Sequence, residues 1–129
     1  MDKPRNRAPG SAAAAGSPSP ANPDVAQPAI YRCLDEAAEL LKTTGLDDQQ
    51  RAARAARMAQ LAELRGSWWS GLARWAYLSG SDVPLIFALA AVIAHRAATS
   101  DAGFWRESAQ FWRDRANRAA HDATDRECA

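Results

Sequence analysis

The chain has 129 residues, with 16 lysines and arginines against 15 aspartates and glutamates and a formal net charge of +1. That length suits one domain. The balanced charge excludes a protein whose whole surface grips nucleic acid or anionic lipid, since such proteins are strongly basic. Valine and isoleucine together number only six. Because β-branched residues favour strands, this scarcity predicts an all-α fold.

Residues 1–28 contain six of the seven prolines, together with serine, glycine and alanine. Such a segment has too little apolar surface to offset the entropy of ordering it. We therefore predict a disordered tail over residues 1–28 and a helical domain over residues 29–128. The tail lacks the apolar run of a signal peptide, so we expect a cytoplasmic protein in which Cys33 and Cys128 are reduced thiols.

The first two predicted helices are bounded by recognisable start and stop signals. Pro28 suits the first turn of a helix, and Gly45 suits its end. Asp47 followed by Gln50 has the spacing of a capping box, which predicts the start of a second helix. Gly66 predicts its end.

Three further helices are predicted after Gly66. Ser67 can cap the third, residues 79–82 have the composition of a turn, and residues 99–101 can cap the last. The fourth contains an apolar run over residues 83–94. A membrane-spanning helix needs about 20 apolar residues, so this run predicts a buried central helix and no membrane. The predicted fold is a four- to five-helix bundle.

The last predicted helix contains a seven-residue repeat, in which Phe104-Trp105-Arg106 recurs as Phe111-Trp112-Arg113. Seven residues is the coiled-coil period, and large and small side chains alternate along one seam. Phe104 and Phe111 widen this seam. Its members are Trp105, Ala109, Trp112, Ala116, Ala119 and Ala123.

Nothing in the pattern of chemically active residues predicts an enzyme. His95 and His121 lie on different predicted helices, and neither has a ligand partner at the spacing that a zinc site requires. No phosphate-binding loop or nucleophile elbow is present. We expect no catalytic residue, no metal, no cofactor and no small-molecule substrate.

Four arginines of the second predicted helix fall within about a third of its circumference, at about 100° per residue. One interpretation is a strip that contacts nucleic-acid backbone. The other is a solvated face whose arginine stems cover neighbouring alanines. These candidate nucleic-acid-binding residues are Arg51, Arg54, Arg57 and Arg65.

Nine of the ten aromatic residues follow residue 66. Buried aromatic side chains usually form a core, whereas exposed ones form binding hot spots. Adjacent helical residues point about 100° apart, so Trp68 and Trp69 do not easily face one narrow core. The candidate protein-interface residues are Trp68, Trp69, Phe104 and Phe111.

A compact helical chain with an arginine-lined helix and no active site resembles the small helical subunits of CRISPR effector complexes. The resemblance covers residues 29–128 in architecture and rests on no diagnostic motif. It implies a non-catalytic subunit of an antiviral nucleoprotein complex, contacting neighbouring subunits and the backbone of RNA or single-stranded DNA. The alternative is a free-standing regulator or adaptor that forms a homodimer through the heptad seam and binds a protein partner. A helix-turn-helix DNA reader is a less suitable form of that alternative, because no tight turn precedes a recognition helix.

Overall fold

The computed structural model describes residues 19–128, except for the side chain of Ser81. The described part contains helices and no strand: α1 spans Pro23–Lys42, α2 spans Asp48–Leu78 and α3 spans Leu85–Cys128, with one 3-10 turn at Gly80–Asp82. The predicted all-α class is confirmed. The predicted count of four to five helices is wrong for the described residues, which form three.

The first helix begins earlier than the sequence predicted. Asn22 caps α1 by accepting a hydrogen bond from the Val25 N–H at 3.2 Å, and Pro23 occupies the first turn. The preceding segment is also held in place, since the Ala21 N–H donates to the Gly71 carbonyl at 3.1 Å. The predicted tail boundary at residue 28 is therefore wrong. Residues 1–18 of the predicted tail lie outside the described residues.

The second helix starts as predicted but does not stop at Gly66. The Gln50 N–H donates to Asp47 at 2.7 Å, and the Asp47 N–H donates to the Gln50 side chain at 3.0 Å, completing the capping box. Gly66 is buried inside α2. A Cβ placed on it would lie 3.4 Å from the Ala98 Cβ, so this glycine serves close approach of α3. The second and third predicted helices are consequently one.

The last two predicted helices are likewise continuous. Residues 99–101 do not cap a new helix, because Thr99 donates its hydroxyl to the His95 carbonyl one turn earlier, at 3.0 Å. Asp101 instead accepts from Arg65 of α2 at 2.8 Å. The turn predicted at residues 79–82 is present, and Gly80 adopts a φ of 62° within it.

The helices α2 and α3 form a long antiparallel hairpin, and α1 packs against α2. The register is visible in the middle of the hairpin, where Gly66 lies against Ala98, and at its open end, where Arg115 lies 3.2 Å from Asp48. Because Asp48 is the first residue of α2, the remainder of α3 extends beyond the hairpin. Residues 117–128 are exposed on every side.

The hairpin core is built mainly from small side chains. Eleven of the fifteen buried apolar residues in the described part are alanines, and the larger exceptions are Ile30, Cys33, Met58 and Leu61. Alanines let two helices approach closely, but they leave little room to bury neighbouring large side chains. The prediction that the apolar run at residues 83–94 forms a buried central helix is wrong. Within it only Ala88 and Ala91 are buried.

Candidate protein-interaction surfaces

Large apolar side chains are exposed around the turn that joins α2 to α3. Between Arg74 and His95 the chain has one charged residue, Asp82. A concentration of exposed apolar side chains is typical of an interaction site. We call this end of the hairpin the hairpin-end surface. Its members are Tyr77, Leu78, Leu85, Phe87 and Leu89, which are between 50% and 71% exposed.

An apolar groove of about 590 Å³ adjoins the hairpin-end surface. All three helices contribute to it, with Tyr31 and Leu34 from α1, Trp69 and Trp75 from α2, and Phe87 from α3. Volumes of this size fit the apolar side chains of a partner or a small molecule. Polar residues are sparse along its walls. The groove therefore offers apolar contact area rather than a constellation for catalysis.

The structure separates the four candidate interface residues. Trp69 lines the groove, whereas Trp68 is half-buried beside His95 in a second depression. Phe104 and Phe111 are 60% and 53% exposed on the outer side of α3. The four residues do not form one patch.

The predicted heptad seam faces α2 instead of solvent for most of its length. Ala109 is buried, and Trp105 and Trp112 are half-buried on the side of α3 that packs against α2. The guanidinium of Arg51 lies 4.7 Å from the centre of the Trp112 ring, a cation–π contact. Only Ala119 and Ala123 are exposed, beyond the end of α2. The seam is therefore used mainly within the hairpin.

All four candidate arginines contact other groups of the same chain. Arg57 bonds both carboxylate oxygens of Glu36 at 2.5 and 2.8 Å, and Arg65 donates to Asp101. Arg65 is also less accessible than Arg51 and Arg57, with 15% of its side chain exposed against 40% and 43%. Two weaker contacts complete the set: Arg54 donates to the Thr43 carbonyl at 3.1 Å, and Arg51 lies 3.7 Å from Asp48.

Two pairs of ionisable or polar groups link the helices. The Arg57 guanidinium, through its hydrogen bonds, lowers the pKa of the Glu36 carboxyl, and Glu36 in turn raises the pKa of Arg57. His95 Nδ1 lies 2.9 Å from the Gly66 carbonyl oxygen, within hydrogen-bonding distance for an imidazole N–H that donates to it. These contacts fix α1 and α3 to α2.

Among residues 19–128, no three histidine, cysteine or acidic side chains come together in a way that could hold a metal ion. Cys33 is buried in α1, where burial raises the pKa of its thiol, and Cys128 is exposed at the far end of α3. The two thiols are thus placed far apart along the bundle.

Among the helices of residues 19–128, α3 is long and apolar enough to cross a membrane by length and composition alone. Its most apolar 18-residue window has a mean hydropathy of 1.3, and 22% of that window is buried. The prediction of a buried helix relied on the apolar run, since a helix that is apolar all round is typical of a core or of a membrane span. In the structure α2 covers only one side of this run, so most of its large side chains are exposed.

No protein-family model, curated protein or solved structure matches this chain. The resemblance to CRISPR effector subunits therefore draws nothing from relatives, and the geometry of the chain itself is the basis for assigning a function.

Proposed function

We propose that this protein is a non-catalytic helical subunit that joins a larger assembly through its exposed apolar surfaces. The observation that carries this proposal is the hairpin-end surface, where five large apolar side chains next to an apolar groove are at least half exposed. Burying one such side chain is favourable by about 1.5–3 kcal/mol relative to leaving it in water. A partner that covered several of them would gain a large part of the free energy of a stable complex.

The contacts of the arginines favour a protein partner over nucleic acid. A phosphate that engaged Arg57 or Arg65 would have to displace a carboxylate already held at hydrogen-bonding distance. Charge-assisted pairs of this kind are the stronger hydrogen bonds in proteins. In the CRISPR-like form of the proposal, Arg51 and Arg54 are the better contacts for a nucleic-acid backbone, because their partners are weaker.

Dye binding and sedimentation test the hairpin-end surface. The double variant Leu85→Glu/Phe87→Glu removes two of its apolar members, and Leu64→Glu is the matched control, since Leu64 is 46% exposed elsewhere on α2. We expect the wild type to bind the apolar dye bis-ANS in its folded state, the control to bind equally well, and the double variant to bind several-fold less. Equal dye signals from the wild type and the double variant, in proteins of equal sedimentation coefficient, would contradict the proposal.

Fluorescence anisotropy tests the nucleic-acid form. Labelled single-stranded RNA and DNA are titrated across a salt series with the wild type and with Arg51→Ala/Arg54→Ala/Arg57→Ala. Backbone binding requires an affinity that falls with salt and a salt slope that is smaller in the variant. If neither protein binds at low salt, nucleic acid is excluded as a direct ligand of the free chain, and the apolar surfaces remain as the site of association.

A further inference from the structure

The side of α3 that faces away from α2 carries an apolar stripe. At about 100° per residue, five positions spread over 25 residues fall within roughly 20° of one common direction, along about 38 Å of helix. All five are exposed, and the four large ones are between 53% and 67% exposed. We call this set the outer stripe. It consists of Ile86, Ile93, Ala97, Phe104 and Phe111.

No other part of the described chain packs over the outer stripe, since all five of its residues are exposed. The residues of α3 that are buried in the hairpin, such as Ala91, Ala98 and Ala109, lie roughly 120–140° around the helix from it. The first helix packs against α2, and none of the five stripe residues lines the groove that α1 forms with α2 and α3. The stripe is therefore a second apolar face of α3, distinct from the seam that Trp105 and Trp112 form with α2.

The spacing of the outer stripe is symmetric about its middle. Ile86 and Phe111 lie equally far from a point between residues 98 and 99, and so do Ile93 and Phe104. On the same side of the helix, the residues nearest that point are small and exposed, namely Ala97 and Ser100. An antiparallel copy of the same helix would place each isoleucine opposite a phenylalanine and would leave small side chains where the two helices approach most closely. Such self-complementarity is what a two-fold interface requires.

We infer that the outer stripe is the interface of an antiparallel homodimer, in which α3 of one copy packs along α3 of the other. This inference rests on the proposed function and names one assembly partner, a second copy of the chain. It differs from the dimer that the sequence suggested, because that dimer used the seam now seen against α2.

The area of the face suits such a dimer. Each phenylalanine leaves on the order of 100 Å² uncovered, since more than half of a side chain of about 150–250 Å² is exposed. The isoleucines, the small central residues and the adjacent Leu89 extend this area toward the roughly 800 Å² per partner of a standard interface. Charged residues such as Arg96 and Asp114 lie about 80° to the side, where they would form a polar rim.

Sedimentation velocity over a concentration series tests the dimer with matched variants. Ile86 and Leu85 are adjacent and equally exposed, at 64%, but only Ile86 belongs to the outer stripe. We expect Ile86→Glu and Phe104→Glu to raise the dimer dissociation constant more than about tenfold, because a carboxylate placed in an apolar interface must be desolvated. Leu85→Glu should leave that constant within about twofold. Equal effects of Ile86→Glu and Leu85→Glu would overturn the inference.

Cysteine cross-linking tests the register in a Cys128→Ser background, where the remaining Cys33 is buried. In the antiparallel pairing, Ser100→Cys lies near the two-fold axis and should form a disulfide with its own copy. Ile86→Cys should not, but it should cross-link to Phe111→Cys when the two variants are mixed. Efficient Ile86→Cys homodimers would indicate parallel helices and would overturn the antiparallel arrangement.

The failure of this inference can be told apart from failure of the proposed function. A wild type that is monomeric at every concentration yet binds bis-ANS at the hairpin end would overturn the homodimer alone. A monomer that binds no dye would overturn both proposals. Co-sedimentation with phosphatidylcholine vesicles tests whether a lipid surface, and not a second copy, covers the stripe. If the wild type bound vesicles as a monomer and Ile86→Glu abolished that binding, a lipid surface would replace the second copy as the occupant of the stripe.

Discussion

Arg57 of α2 donates from Nε and Nη2 to the two carboxylate oxygens of Glu36 on α1, at 2.5 and 2.8 Å. The two residues are 21 positions apart, so the pair ties one helix to another. Bidentate pairs of this kind fix orientation as well as distance. Both side chains are 43% exposed, so solvent screens the pair, and its main role is to set how α1 lies on α2.

This pair predicts a pH-dependent contribution to stability. The hydrogen bonds from Arg57 lower the pKa of Glu36 in the folded protein. The stabilisation is therefore fully present above the unfolded pKa of about 4.3 and is lost as the pH falls through the lower folded pKa. We expect Glu36→Gln to lower Tm at pH 7 and to have almost no effect near pH 2. Thermal melts followed by circular dichroism measure both values.

Glu39→Gln is the matched control for that measurement. Glu39 lies on the same helix but pairs only with Lys42, three residues away and well exposed. Exposed pairs within one helix contribute little, so its loss should change Tm far less than the loss of Glu36. If both variants lowered Tm equally at pH 7, a link between α1 and α2 through Glu36 would not be supported.

We expect replacement by alanine to change the free energy of unfolding by different amounts at three helical glycines. Exchanging a mid-helix glycine for alanine stabilises by about 0.5–1 kcal/mol when nothing obstructs the new Cβ. A Cβ on Gly103 meets nothing within 4 Å, one on Gly66 lies 3.4 Å from the Ala98 Cβ, and one on Gly71 lies 2.9 Å from the Ser19 carbonyl oxygen. Gly103→Ala should thus stabilise, Gly66→Ala should be nearly neutral, and Gly71→Ala should destabilise. Urea denaturation gives the order, and stabilisation by Gly71→Ala would show that the segment at residues 19–21 is not docked as described.

The same glycines show what can be predicted from the sequence. The capping box of Asp47 and Gln50 is predicted correctly because all of its atoms lie within four residues. Gly66 is mistaken for a helix stop because its neighbour Ala98, 32 positions later, is invisible to local pattern. Thr99 misleads for a similar reason, since a threonine hydroxyl bonds a carbonyl of its own helix as readily as it caps a new one.

The candidate surfaces are predictable only in part. The heptad repeat points to Phe104 and Phe111 as interface residues, and both are exposed on one face of α3. Whether that face binds another chain stays a prediction. The exposed members of the apolar run, such as Leu85 and Ile86, are wrongly placed in the core because a sequence does not state how many helices surround a given one. Their exposure in the three-helix structure shows that no other part of the described chain covers them.

Leu61 is one of the few large side chains in the alanine-rich core, at 3% exposure, whereas Leu64 on the same helix is 46% exposed. Replacing a buried leucine with alanine removes apolar contacts and leaves a cavity, which costs about 2–5 kcal/mol. We expect Leu61→Ala to lose at least about 2 kcal/mol of unfolding free energy, and Leu64→Ala to lose less than about 1 kcal/mol. Chemical denaturation of the two variants measures the difference, and similar losses would mean that the packing of α2 differs from the one described.

We expect the two cysteines to react with Ellman's reagent in two phases, one fast and one slow. The thiolate is the reactive form, and Cys33 is 5% exposed with burial raising the pKa of its thiol, whereas Cys128 is exposed. At pH 8 the folded protein should therefore release one equivalent of thionitrobenzoate from Ellman's reagent promptly and the second only on unfolding in urea. Cys128→Ser should remove the fast phase and Cys33→Ser the slow one. A fast reaction of Cys33 in the folded protein would mean that α1 opens from α2 readily, and Glu36→Gln should then accelerate that reaction further, because it removes the pair that holds the two helices together.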